Sequence, residues 1–283
     1  MSDTPRSAGV PPAGRAPSRR PFAAARRRRA SRRDGGVPLR VVVVLFAVLA
    51  VTSAALRTVA TIQPRSAMAE AQRDALRAMN GDETLLQEFE TRFSSRPAMT
   101  LLHVVPGALF LSFGLLQFSS RIRSRYIRFH RWSGRVLMVA AIVSGVAGLY
   151  FGVGIPVAGF GEASVIALVG AFLIVAVARG FLAIRRGDAA RHREWMIRAF
   201  AACIAVSTVR VIGGIIQLFM PMPPVPTIVI SFWAGWVITL GAAELWIRFT
   251  SRSARTYSSA GRGIGSAFRE PPALVPRGEG WPP

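Results

Sequence analysis

Apolar residues along this chain fall in long unbroken blocks rather than in the periodic faces of a soluble fold, a pattern that predicts helices crossing a lipid bilayer. The blocks run over Val37–Val59, Ala98–Phe118, Val136–Val153, Ala163–Ile184, Trp195–Phe219 and Pro226–Ile247. The expected fold class is therefore all-α, a polytopic membrane bundle of six transmembrane helices. The first block has an apolar core of only Val41–Leu56, shorter than the ~20 residues that span a bilayer. With its basic flank and Ser53-Ala54-Ala55 it also resembles a cleavable signal peptide. An uncleaved helix is preferred, because it leaves the other five consistently oriented.

Between the first two blocks, residues 61–97 carry five arginines against six acids. Met68, Leu76, Met79, Leu85, Leu86, Phe89 and Phe93 are spaced for an amphipathic helix outside the membrane, as a surface helix or a ligand-capturing cap. Residues 1–36 and 251–283, rich in Pro, Gly, Ser, Ala and Arg, are expected to be disordered tails flanking a membrane domain at 37–250.

Charge then sets the orientation. All 36 basic residues are arginine, and the net charge of +22 lies mostly outside the apolar blocks. A charge this large would suit nucleic acid, but arginine in the short flanks of membrane helices already accounts for it through orientation and anionic lipid headgroups. Loops 119–135 and 185–194 and both tails are arginine-rich, whereas loops 154–162 and 220–225 carry no positive charge. Both termini are thus expected in the cytoplasm of a bacterial inner membrane. Cys203 is the only cysteine, so an intrachain disulfide and a Cys-x-x-Cys metal site are excluded. Phosphate-cradling glycine loops, a dinucleotide fingerprint and a Gly-x-Ser-x-Gly elbow are also missing from the sequence, which points away from soluble-type hydrolysis.

Two short segments echo one another. His130-Arg131-Trp132-Ser133-Gly134-Arg135 and His192-Arg193-Glu194-Trp195-Met196-Ile197-Arg198 share a His-Arg pair, a tryptophan and a closing arginine. Each opens an outward-running helix, so helices two and three and helices four and five read as two copies of one hairpin. Gly134, Ala141 and Gly148 share the His130 face, and Cys203 and Arg210 the His192 face. If both faces point inward, His130 and His192 could ligate a b-type haem, with the small residues leaving room for the macrocycle. The alternative is that the histidines cap helix starts or meet headgroups, and that the glycines serve close packing.

Intramembrane charge marks a second candidate. Arg210, His103 and Glu162 are expected toward the outer side, where they would hold an anionic ligand or quinone head, line a solute path, or leave Arg210 paired with Glu162. Glu244 is expected near the inner end with Arg198 as structural partner, or as a proton relay.

The segments LLHVVPGALFLSFGLLQF, HRWSGRVLMVAAIVSGVAGLY and RHREWMIRAFAACIAVSTVRV resemble, in order and spacing, the bacterial predicted membrane proteins grouped as domain-of-unknown-function family 2306. The resemblance covers roughly Phe89 to Ile247. It implies a polytopic inner-membrane protein, picks out His103, His130 and His192, and carries no catalytic assignment. Three function classes remain open: a redox component binding haem or quinone, a small-solute transporter or channel, and a non-catalytic scaffold.

Overall fold

In the computed structural model the described residues are 37–80, 83–220 and 222–267, and no strand occurs among them. The tails read as disordered at 1–36 and 268–283 lie outside these residues. The helices are α1 (Val37–Ile62), α2 (Ala67–Asn80), α3 (Glu83–Ser94), α4 (Pro97–Gln117), α5 (Ser120–Arg125), α6 (Ile127–Gly154), α7 (Gly159–Arg185), α8 (Ala189–Phe219) and α9 (Pro224–Ala267). Six of them, α1, α4, α6, α7, α8 and α9, are long and apolar enough to cross a membrane. The chain divides into compact units within α1, between Leu45 and Phe46, and the bundle belongs to the second.

Helix boundaries differ from the apolar blocks where polar residues are good helix formers. α6 starts nine residues before Val136 and α8 six before Trp195, taking in Arg128, Arg131, Arg135 and Arg191. Apolarity reports where lipid lies, whereas arginine propagates a helix almost as well as leucine. For the same reason α9 continues past the apolar limit at Ile247, and residues 251–267, expected to lack structure, extend it. The segment expected to be amphipathic forms α2 and α3.

Packing arranges four helices in a ring. α4 lies against α6, α6 against α7, α7 against α8, and α8 closes back onto α4, so that α6 and α8 are diagonal. α9 lies along the outside of α8, where Trp236 Nε1 donates to the Ala202 carbonyl at 2.8 Å and Thr208 meets Thr239. The close crossing depends on Gly235, where a Cβ would come within 2.9 Å of the Val209 backbone nitrogen. The ring closes through Phe200, which stacks on Phe110 of α4 and on Phe118 just past its end, and lies over Gly114. Such edge and tilted aromatic contacts add to the burial of a large apolar ring.

At the end opposite the arginine-rich loops, α3 caps α6: Phe93 stacks on Phe151 at 4.8 Å and Thr100 Oγ1 donates to the Phe93 carbonyl. The α6–α7 turn is locked by Glu162, whose Oε2 accepts from the backbone N–H of both Val157 and Ala158 at 2.8 Å. A carboxylate in the first turn of α7 also complements the positive end of that helix. Gly159 sits at φ +64, left-handed backbone that favours glycine.

Candidate functional site

Two polar centres occupy opposite ends of the ring. The first lies beside the arginine-rich loops. His130 and His192 are each the fourth residue of their helix, on the diagonal pair α6 and α8. They are close enough that the charge of one acts on the other. His192 is oriented by α7: its Nδ1 lies 2.8 Å from the Gly180 carbonyl. A carbonyl only accepts, so Nδ1 carries a proton, and in the neutral ring Nε2 is the nitrogen with the lone pair. His130 has no such anchor; its Nδ1 is buried without a hydrogen-bond partner. A second orphan lies nearby. Gln117 donates through Nε2 to Ser133 Oγ, but its Oε1 is buried unpaired, 3.6 Å from where a Cβ on Gly134 would stand. Orphaned buried polar atoms each cost about 1–3 kcal/mol, so each marks a place where a partner belongs.

Arginines frame this centre. Arg123 acts electrostatically on both His130 and Arg193. Its own Nη1 reaches back to the Phe118 carbonyl at 2.8 Å, closing the end of α4, and Arg193 Nη1 donates to Thr250 of α9. Further along α8, Arg198 forms a two-toothed ion pair with Glu244, with Nε to Oε1 and Nη2 to Oε2 at 3.1 Å. Both carboxylate oxygens are thereby engaged.

The second centre lies toward α3. His103 Nδ1 is 2.9 Å from the Ser144 carbonyl, and Ser144 Oγ donates back to the His103 carbonyl at 2.6 Å. That bond falls one residue from the Leu102 carbonyl, which Pro106 deprives of its helical donor. Gly148 makes room for the ring: a Cβ there would stand 2.9 Å from His103 Cε1. The small-residue stripe of α6 is therefore filled at Gly148 by His103, not left open for a macrocycle. His103 lies within reach of the charges of both Arg92 and Arg210.

Glu162 does not meet Arg210. Its Oε1 takes Arg92 Nη1 at 2.7 Å, in a pair exposed by only 6% at Arg92 and 2% at Glu162. With Oε2 on two backbone N–H groups, Glu162 has no oxygen to spare for a ligand. Arg210 is exposed and bonds only the Val206 carbonyl of its own helix, at 3.2 Å; among the described residues no carboxylate pairs with it. Arg92 Nε is buried without a partner, and Arg92 lines, with Arg96, Gln87, Thr91, Ile155 and Pro156, a cavity of about 420 Å³ beside α3. Arg92 was not among the residues singled out by sequence. Its signal was its position three residues after Phe89 and one before Phe93, on the apolar face of its helix.

A family model described as predicted membrane protein (DUF2306) matches residues 100–247, just over half of the chain. The match ends where the resemblance was expected to end and begins eleven residues later than Phe89. No curated protein and no solved structure matches the chain.

Proposed function

The chain belongs to the DUF2306 family of predicted membrane proteins, and from that premise we propose that it is a membrane redox component in which His130 and His192 ligate the iron of a b-type haem. The carrying observation is that the two imidazoles stand at the same register on diagonal helices, within range of each other's charge. The donor set fits the group. His192 is held through Nδ1 by a backbone carbonyl, the outer-shell contact that orients a metal-binding histidine and leaves Nε2 free. His130 brings an unpartnered ring nitrogen. Arg123 and Arg193 supply guanidiniums of the kind that pair with carboxylates such as haem propionates. The sequence lacks a Cys-x-x-Cys-His attachment, so the group would be held without covalent bonds. When bound, haem supplies a one-electron couple whose potential is set by its axial ligands and surroundings. The arginine-rich end, with both termini, belongs on the cytoplasmic face of the inner membrane in this reading, following the bias of short basic loops.

A solute pathway has weaker support. Transporter sites are commonly built on interrupted helices. Gly213 and Gly214 lie inside unbroken α8, and the glycine-rich stretch 152–161 forms a turn between two long helices.

Protein purified in detergent from cells supplied with a haem precursor is expected to show a Soret band and one pyridine haemochrome per chain. His130→Ala and His192→Ala should abolish both signals, and His103→Ala should keep them. A colourless wild-type protein, or colour that survives both substitutions, would remove the haem reading.

A further inference from the structure

One arginine near the basic end of the bundle is not explained by orientation. Arg179 is the only charged residue of the apolar block 163–184, and it stands six residues, about 9 Å, before the end of α7. It is exposed, and among the described residues it makes no ion pair and no hydrogen bond. A guanidinium at that depth is costly unless an anion or water meets it. Its contact is with an aromatic ring. Across the α7–α8 crossing, Arg179 Cζ lies 5.3 Å from the centre of the Trp195 ring, and Arg198 Cζ lies 4.6 Å from the same centre. Gly180 permits the approach, since a Cβ there would already stand 3.4 Å from Trp195 Cβ. Arg198 spends Nε and Nη2 on Glu244, which leaves Nη1 free. The half-buried Trp195 donates its Nε1–H to no acceptor among the described residues. Glu244 thus neutralises Arg198, and no carboxylate neutralises Arg179. Glu194, next to Trp195, accepts from Ser251 instead. Farther from the basic loops the same face of α7 is apolar: Val175, four residues back, and Leu168, eleven back, are both exposed.

We infer that Arg179, with Trp195 and Arg198 beside it, forms a headgroup site for an acidic phospholipid, whose acyl chain lies along Val175 and Leu168. The donors suit a phosphodiester. Arg179 has all its N–H groups free for a phosphate, which a guanidinium grips by two parallel bonds. The indole N–H and Arg198 Nη1 add donors at its side. An acidic headgroup also supplies the counter-charge that Arg179 lacks, whereas a choline headgroup would bring a cation of its own to the same place. The apolar stripe favours a lipid over free phosphate, because it matches a ligand that is charged at one end and hydrocarbon below. None of the residues assigned to haem takes part.

The test uses the full-length protein in nanodiscs of phosphatidylcholine containing phosphatidylglycerol as the probe, with the lipid retained on the protein counted by native mass spectrometry. Retention is read equally on coloured and colourless protein, so the haem result does not decide it. Wild-type protein is expected to keep phosphatidylglycerol in preference to phosphatidylcholine. Arg179→Gln should weaken that retention at least tenfold, and Arg179→Lys, which keeps the charge and loses the fork, should recover part of it. Trp195→Phe, which keeps a ring and loses the N–H, should weaken it severalfold. Arg186→Gln removes an equal charge from an exposed position at the same end of α7 and should bind as wild type does. Equal losses in Arg186→Gln and Arg179→Gln would mean a diffuse basic surface in place of a site, and would overturn the inference. So would equal retention by wild type and Arg179→Gln, or a wild type that holds the two lipids alike.

Discussion

His103 and Ser144 hold each other twice across the α4–α6 crossing, the imidazole giving its proton to the serine carbonyl and the serine hydroxyl giving its own to the histidine carbonyl. The pair fixes the tautomer of His103 and the depth at which α4 rides on α6. It also explains the glycine beneath the ring. Gly148→Ala should push the imidazole off Ser144 and destabilise the protein by about 1–3 kcal/mol, the usual cost of overpacking. Ser144→Ala, which removes one donor and leaves the helix contact intact, should cost about 1 kcal/mol. Thermal unfolding in one detergent ranks the two; an unchanged Gly148→Ala midpoint would contradict the close contact.

The Arg92–Glu162 pair predicts a larger effect with a specific pattern. Removing one partner of a buried pair strands the other charge, so Arg92→Met and Glu162→Gln should each cost about 3–5 kcal/mol. Changing both together should cost less than the two single losses added. A double-mutant cycle on unfolding free energies reads this coupling, and strict additivity would mean that the pair does not form.

At the opposite end, Arg198–Glu244 is the partly exposed counterpart, with side-chain exposures of 18% and 37%. Solvent screens such a pair, so Arg198→Met should cost only about 0–1 kcal/mol despite the two-toothed geometry. The ranking of Arg92→Met above Arg198→Met in destabilisation is the checkable outcome.

Topology can be read without any ligand. In a Cys203→Ser background, Thr84→Cys on α3 should react with a membrane-impermeant maleimide in intact cells, whereas Ser124→Cys on α5 should react only after lysis. The reverse labelling would invert the orientation proposed above.

Much of the fold was legible because lipid imposes so coarse a rule. Blocks of Val, Leu, Ile and Ala gave the six spans, and the Phe89/Phe93 spacing gave the helices of the cap. Helix starts were not legible, because the sequence change at Val136 marks entry into apolar surroundings and not the first hydrogen bond of α6. The register of His130 and His192 could be seen in their shared His-Arg pairs. Their partners could not, since the Gly180 carbonyl that orients His192 is a backbone atom that any residue there would supply. Hydrogen bonding also distinguishes the two His-Arg segments: His192 is anchored and His130 is not. Glu162 was seen as important but given the wrong neighbour, since its contact with Arg92 spans seventy positions and depends on how the cap folds over α6.

Phe200 sits eight residues after His192 and ten before Arg210, about 12 Å and 15 Å along α8. Wedged against Phe110, Phe118 and Gly114, its buried ring fills the interior between the levels of those two residues. A hydrated ion or a proton finds no hydrogen-bond acceptor among those rings. The wedge thus gives water-borne species no hydrogen-bonding foothold at this level of the bundle.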